Sequence, residues 1–351
     1  MCVVKGNDMD NILTIAIPTY NRANRFDKSM NVLLSQIIKS GKRQYLSVFV
    51  SNNGSTDATA KIIDKHKDIF RKHGISFFSH TFCENNGFDA NVLCCYRKAN
   101  SEYVWFLSDD DNIIDNAINL IIDDIHKYTP NVLYFNFDQP PYNLDNPYNK
   151  TTTLFNYVEG KSIESISKII AWPKLTSLVI KINGGRSGEK VKNLDHNFMH
   201  VALALQTSLD YGMVLHSEKF IARPDKDYMD HIDFTPYVVN KLDKTVRFVL
   251  LQNNRADIYG HIKIDKVDPL TSSMDTLGCY YRGKFVLTPE LKCELYSTVI
   301  HELNVMKLSK VNVVALSLST IKFVISWLYN LAYFIFIRKR ADKLRTTKSS
   351  N

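Results

Sequence analysis

Apolar and polar positions fall in blocks along the first two thirds of the chain, and the blocks alternate between two periods. Leu13–Pro18 is a continuous apolar run rich in β-branched residues, which predicts a buried strand. Phe26 to Ile38 carries Phe26, Met30, Leu33, Leu34 and Ile37 on one stripe, which predicts a helix. The same alternation repeats. Strands are predicted at Tyr45–Val50, Ile75–His80, Tyr103–Leu107 and Val132–Phe137. Helices are predicted over the Ile62, Ile63, His66, Ile69, Phe70 stripe, over Phe88–Ala99 and over Ile113–Tyr128. Gly74 is placed to end the first of these. His66 sits on an apolar stripe and Cys94 and Cys95 inside a helix, so all three read as packing residues. Strands alternating with helices at this rhythm imply an α/β fold with a mainly parallel sheet and right-handed crossovers.

Each predicted strand runs directly into a polar loop. In an open α/β sheet such loops meet at the carboxyl edge, where ligands bind. The loops are Pro18–Arg22, Ser51–Asp57, Glu84–Gly87 and the stretch after Leu107. The last is the most demanding, because a buried strand ends in three consecutive carboxylates, Asp109, Asp110 and Asp111. Packed like charges beside a strand are costly. A hard divalent cation with oxygen ligands offsets that cost; an acidic loop capping the next helix is the plainer alternative.

Beyond Phe137 the pattern loosens. Asp138–Tyr157 is a Pro-, Asn- and Tyr-rich excursion, Lys161–Ile182 regains apolar content, and Gly184–Gly188 reads as a flexible loop. A strongly apolar helix is predicted over Phe198–Leu209, with Gly212 as its stop, and a last strand over Val214–Ala222. From about Asp233 the pattern turns helical and more charged.

Composition sharpens this picture only in places. The 351 residues are 45% hydrophobic and 23% charged, enough for one large domain with an appendage or for two domains. The net charge of +8 suits anionic partners, but no basic run with interleaved aromatics forms a nucleic-acid motif. The six cysteines show no CxxC spacing, which argues against zinc or a disulfide framework and fits a reducing cytosol. The first ten residues lack the basic-then-apolar pattern of a signal peptide. Near the end, Val311–Ile337 is apolar and aromatic, with Lys322 leaving fifteen uninterrupted residues from Phe323, fewer than the ~20 a spanning helix needs. Residues 338–351 carry six Lys/Arg and one Asp, a charge of +5. That pairing suits an interfacial helix on an anionic leaflet. A helix packed on the rest of the protein and a transmembrane helix starting near Val313 are the alternatives.

In their order, TIAIPTYNR, VSNNGSTDAT, NNGFDAN and YVWFLSDDD make residues from about 12 to 225 resemble family 2 glycosyltransferases of the GT-A fold. The NGFDAN and YVWFLSDDD stretches look most like the abequosyltransferase-type branch of O-antigen side-chain enzymes. The resemblance implies a GT-A catalytic domain over 1–232, with a nucleotide-binding half (12–137) and an acceptor half (138–232). A mostly helical region, 233–351, follows, with a membrane-associating segment at 311–345. It implies that Pro18, Thr19, Tyr20 and Arg22 hold the donor's base and ribose, and that Asn52 replaces the family's usual Asp at the base. Asn86 and Gly87 would belong to the third donor loop, where Asn91 holds the loop, while Asp57 caps the following helix.

The family pattern of two Asp separated by one residue fits in two registers. Aligned on Leu107, Ser108 takes the first position and Asp110 binds the metal, with Asp109 near the ribose and Asp111 behind. The other register pairs Asp109 with Asp111. The implied reaction is metal-dependent (Mg²⁺ or Mn²⁺) inverting transfer of a hexosyl or deoxyhexosyl group from a nucleotide-diphosphate sugar. The implied acceptor is a glycan, carried on polyprenyl diphosphate for surface polysaccharide synthesis. The base expected downstream of the Asp cluster is Asp195, then Glu189, with His200 near acceptor or diphosphate. The implied place is cytoplasmic and peripheral, on the inner face of the membrane. Ser108 and Asn52 also admit a non-catalytic sugar-nucleotide or glycan-binding subunit. Nucleotidyl transfer would want a Gly-rich basic loop where PTYNR stands.

Overall fold

The computed structural model describes residues 11–137, 153–155, 174–194, 196–224 and 236–261. Asp195, most of the 138–157 excursion and the 311–345 segment lie outside the described residues. Residues 1–229 and 241–264 form one compact unit, and residues 230–240 with 265–351 form another.

The amino-terminal half follows the predicted alternation. The elements run β1 (Leu13–Thr19), α1 (Ala23–Ser40), β2 (Leu46–Asn52), α2 (Thr59–Lys72), β3 (Ser76–Thr81), α3 (Gly87–Lys98) and β4 (Tyr103–Phe106). These four strands lie in the order β3-β2-β1-β4, all parallel. Every residue of β1 and β2 is buried, as expected of central parallel strands covered on both faces. Leu13, Ile15 and Ile17 join Phe26, Met30, Leu33 and Ile37 of α1 and Ile63 and Phe70 of α2 in one core. Alternate β1 residues face the other way, the side on which α3 packs against β1 and β2. His66 is fully buried between Phe26 and Phe70, with Nε2 at 2.6 Å from Asp27 Oδ1. Cys94 and Cys95 are buried in α3, and burial raises both thiols above their ordinary range, so neither is a reactive nucleophile.

The second half departs from the predicted pattern in four places. Asp111–Ile113 forms a short strand, β5, and helix α4 starts only at Ala117 (Ala117–Tyr128). The isoleucines at 113 and 114 continue the helical period by sequence. Pairing with the last strand of the sheet and a left-handed Asn116 (φ 70°) break it. The strand β6 (Val132–Phe137) does not lie beside β4, because β8 (Leu178–Lys181) is inserted between them, antiparallel to both. Within the polar excursion, Thr153–Phe155 is a strand, β7. Gly184–Gly188, expected as a flexible loop, lie instead in a 3₁₀ turn over Asn183–Gly185 and in helix α5 (Arg186–Lys190) that follows it.

Helix α6 (Met199–Tyr211) and strand β9 (Val214–Pro224) complete the sheet, whose order is β3-β2-β1-β4-β8-β6-β9-β5, with β7 on β9. α6 packs against α3, β6 and β8, so α3 and α6 share the face opposite α1 and α2. Helices α7 (Pro236–Gln252) and α8 (Ala256–His261) follow.

Candidate active site

The carboxyl ends of β1 and β2 are flush. Thr19 pairs with Asn52, and Asn52 in turn with Thr81 of β3. β4 stops three residues short of β1's end, Phe106 standing opposite Ala16, so the Asp loop arrives level with Thr19. Register alone therefore brings the four polar loops to one edge.

Side chains then lock the loops together. Asn21 turns the chain in the left-handed region (φ 52°), donates its N–H to Ser55 Oγ (2.9 Å), and accepts the Thr56 N–H on Oδ1 (2.8 Å). Asp57 accepts the N–H of Thr59 (2.9 Å) and of Ala23 (3.2 Å), serving the starts of both α2 and α1. Asn53 ties the second loop to the third. Its Nδ2 donates to Asn85 Oδ1 and to the Gly87 carbonyl, and its Oδ1 accepts the Asn86 N–H. Gly54 (φ 69°) sits so close to Glu84 that a Cβ would fall 2.4 Å from that residue's carbonyl carbon. Asn91, buried on α3, bridges the first two loops. Its amide nitrogen lies 2.6 Å from Ser51 Oγ and its oxygen accepts the Thr19 N–H at 3.3 Å. Asn52 is fully buried. Its Oδ1 accepts the Ser55 N–H (3.1 Å), and its Nδ2 has no partner among the described residues.

The three carboxylates occupy different environments. Asp109 is buried and accepts a bond from Thr19 Oγ1 at 2.6 Å. Burial, and then the neighbouring Asp110 charge, push its carboxyl up to about 6, against the opposing effect of Arg22 and the Thr19 bond. Asp111 accepts a bond from Thr176 Oγ1, and burial with the Asp110 charge pushes it up to about 8. Asp110 is the accessible member. It accepts from Ser108 Oγ at 2.5 Å and lies 3.7 Å from Arg22 Nη1. Ser108 and Asp110 thus bond to each other, while Asp109 is buried against Thr19 and the half-buried Asp111 is tied to Thr176. Two carboxylates raised by burial and by a neighbouring charge suit a bound cation. Among the described residues, no group of three or more His, Cys, Asp or Glu converges closely enough to hold a metal alone. That donor set fits an ion such as Mg²⁺, which takes one or two carboxylates and fills its shell with substrate phosphate oxygens and water.

Tyr20 is exposed and Arg22 partly so, both beside this edge, while Pro18 and Thr19 are buried in β1. Asn86 and Gly87 are exposed at the start of α3. On the opposite side of α3, His200 is buried in α6 against the rings of Phe88 and Phe198, with centroids at 5.9 and 5.8 Å. Glu189 lies on α5, exposed and paired with Arg97 (2.5 Å) and Lys192 (3.2 Å). Lys192 and then Arg97 hold its carboxyl below the usual range, which weakens it as a base.

Sequence reasoning missed Asn21, Asn53, Asp89 and Thr176. Asn21 and Asn53 stand inside motifs already singled out, and the Asx preference for left-handed and turn positions was the available signal. Thr176 had none. It reaches the Asp loop because β8 is antiparallel to β4, so the 3₁₀ turn Leu175–Ser177 that precedes β8 passes over the carboxyl end of β4. There Thr176 Oγ1 accepts the Ser108 N–H (3.0 Å), and its carbonyl accepts from Trp105 Nε1 (2.8 Å).

Comparison with known proteins agrees with this arrangement. The Glycosyl transferase family 2 profile matches residues 14–178. Glycosyltransferase GlyA of Streptococcus pneumoniae is 23% identical, covering 48% of this chain and 24% of that protein. The uncharacterized glycosyltransferase RP339 of Rickettsia prowazekii is 27% identical over 122 residues, 34% of each chain. The chain thus spans only about a quarter to a third of the length of these curated relatives. Among solved structures, S. aureus TarS 1–349 superposes with a TM-score of 0.51 at 15% identity, over 71% of this chain and 69% of that one. The same TarS fragment in complex with UDP-GlcNAc gives a TM-score of 0.50 at 15% identity, over 71% and 70%. The strand order, the flush loops and the profile coincide on one region: residues 14–178 match the Glycosyl transferase family 2 profile, on a sheet whose fold is that of the TarS fragment.

Proposed function

We propose that the protein is a metal-dependent inverting glycosyltransferase that uses a nucleotide-diphosphate sugar. The observation that carries this is the Asp cluster at the end of β4, with Asp110 accessible and 3.7 Å from Arg22, level with the loops of β1 to β3. Asp110, with Asp111 behind it, would hold Mg²⁺ or Mn²⁺, which as a Lewis acid stabilises charge on a leaving diphosphate. Arg22 adds a fixed positive charge on the same side. Asp109, held by Thr19, faces the ribose in this reading. Pro18, Thr19, Tyr20, Asn52, Asn86 and Gly87 complete the donor site. The bound UDP-GlcNAc of TarS supports a sugar nucleotide as the donor class. Asp195 is the proposed base that takes the acceptor's proton; in the sequence it immediately precedes residues 196–198, which lead into α6.

The finer reading is transfer to a polyprenyl-diphosphate-linked glycan in O-antigen or capsule synthesis, on the inner face of the membrane. Its support is the apolar segment and basic tail of 311–351 and the resemblance of NGFDAN…YVWFLSDDD to abequosyltransferases. Among the described residues, no helix is long and apolar enough to cross a membrane. Deleting residues 323–351 is expected to move the protein from the membrane to the soluble fraction; sedimentation unchanged by the deletion places the anchor elsewhere.

The test is purified full-length protein with Mn²⁺ or Mg²⁺ and a panel of UDP-, GDP-, CDP- and dTDP-sugars, followed for donor hydrolysis and for transfer. Metal-dependent turnover of one donor is the expected result. Donor binding without turnover, with acceptor present, overturns it in favour of a non-catalytic subunit. The panel also reads the base. The orphaned Asn52 Nδ2 is a donor, which complements the ring nitrogen of cytosine rather than the N–H of uracil or guanine. CDP is therefore expected to compete most strongly, and equal or stronger competition by UDP or dTDP sinks that assignment.

A further inference from the structure

The geometry points to Asp89 as a positioning residue that sets the amino-terminal end of α6 against the donor loops; the inference rests on the glycosyltransferase reading above. Asp89 stands in the first turn of α3 and is 4% exposed. A carboxylate there ordinarily serves its own helix. This one instead accepts three backbone N–H groups from 107 to 110 residues away. His196 N and Asn197 N donate to Oδ2 at 2.7 and 2.8 Å, and Met199 N donates to Oδ1 at 2.8 Å.

Met199 N is the first of the orphan donors of α6, and His196 N and Asn197 N belong to the turn that leads into it. Its N-cap residue, Phe198, makes no side-chain capping bond. Asn197, in the left-handed region at φ 63°, turns the chain so that the donors on both sides of it face one carboxylate. The first N–H of α6 and the turn before it are thus held by a carboxylate of α3, through N–H bonds of 2.7–2.8 Å.

The consequence lies in what α3 connects. Two and three residues before Asp89, the Gly87 carbonyl and the Asn86 N–H are held by Asn53 of the second donor loop. Two residues after it, Asn91 is held to Thr19 and Ser51. The first turn of α3 therefore cannot shift without shifting the donor loops. Through Asp89 the same turn fixes residues 196–199, and with them Phe198 and His200. Asp89 transmits the placement of the donor edge to the segment on the acceptor side, without touching a reacting atom itself.

The test is Asp89→Asn in the full-length protein. The side chain keeps its size, but one oxygen becomes an amide nitrogen that can only oppose a backbone N–H. The first readout is amide hydrogen exchange. Protection is expected to fall at 196–199 and to stay at 86–87 and 52–55. Unchanged exchange at 196–199 overturns the inference whether or not the protein is a transferase. The second readout is the split of kinetic constants. Sugar transfer kcat is expected to fall about 100-fold, the scale of a small misplacement of reacting groups. Donor affinity by calorimetry is expected to stay within about twofold, and the ratio of donor hydrolysis to transfer to rise. Parallel loss of donor affinity and kcat, tracking a lowered Tm, shows a merely structural cap and overturns the proposal. If Asp89→Asn fails to fold, Asp89→Glu, which keeps the charge and displaces it by one methylene, is read by the same exchange and kinetic criteria. Wild-type protein without transferase activity defeats the functional reading alone, since the exchange experiment still decides the position of residues 196–199.

Discussion

The loops at the carboxyl edge of β1 to β3 and the segments around Thr176 and residues 196–199 are held by different kinds of bond. At the carboxyl edge, β1, β2 and β3 end flush, and their loops lock to one another through Asn21, Asn53 and Asp57 over separations of roughly 35 residues or fewer, with longer ties from Thr19 to Asn91 and Asp109. Around Thr176 and residues 196–199 the contacts span 65 to 110 residues. Thr176 reaches back to Ser108 and Asp111, and Asp89 reaches forward to residues 196–199. The first region is a scaffold built by repetition of one βα unit. The second depends on an antiparallel strand inserted at β8 and on two side chains that cross between elements. Rigid local construction suits a site that grips a nucleotide, and long-range tethers suit a segment whose position must follow it.

The largest expected effect tests the heart of the donor edge. Asp110→Ala is expected to abolish sugar transfer while far-UV dichroism and Tm stay near wild type, because losing charge stabilisation of the leaving diphosphate removes on the order of several kcal/mol. Near-normal turnover in that variant, with Asp109→Ala or Asp111→Ala inactive instead, selects the other register of the acidic pair.

Next is the rigidity of the donor loops. Gly54→Ala places a methyl 2.4 Å from the Glu84 backbone at a φ of 69°, so loop and backbone must both give way. A loss of about 3 kcal/mol is expected by denaturant unfolding. Gly184→Ala, at φ 69° with nothing within 4 Å, is the control and should cost only about 1 kcal/mol of backbone strain. Equal losses in the two variants would show that the close approach of the second and third loops is unimportant.

Thr176→Val probes the long-range side. It keeps the shape and removes the hydroxyl that serves the Ser108 N–H and Asp111, at a cost of about 1–3 kcal/mol. Mn²⁺ affinity, measured by calorimetry, is expected to weaken with stability, since the Asp loop loses its support. Unchanged metal affinity would confine Thr176 to a structural part.

The smallest effect is the pH dependence that the buried carboxylates impose. Asp109 and Asp111 are raised to about 6 and about 8 from the ordinary carboxylate value of 3.8, so the folded protein holds their protons more tightly than the unfolded chain. Without metal, their contribution is most favourable at low pH and is lost as pH rises from near 3.8 through those values. A cation favours the ionised carboxylates, so the Tm gain on adding Mn²⁺ should be larger near about pH 7.5 than near about pH 5.5. A gain that is flat or falls with pH would separate the buried carboxylates from the metal.

What the sequence determined by itself was the alternation of buried strands and one-faced helices. Periodicity is a local property, and the apolar stripe of α1 or the all-apolar β1 has a single stable partner arrangement. Parallel order then brings the strand ends to one edge, so Thr19, Asn52, Asn86 and the Asp loop were legible as neighbours. Which carboxylate is accessible was not legible, because three adjacent aspartates look alike until Thr19 and Thr176 each tie down one of them. The late start of α4 was hidden by Ile113 and Ile114, whose helical spacing loses to pairing with Ala222 and its neighbours on β9. The insertion of β8 and the capping of α6 by Asp89 were decided by tertiary structure alone. A four-residue strand carries no marker of its partner, and a carboxylate carries no marker of donors more than a hundred residues away. Those contacts exist only because the sheet brings the carboxyl end of β4 under the Thr176 turn, and because α3 and α6 pack on one face.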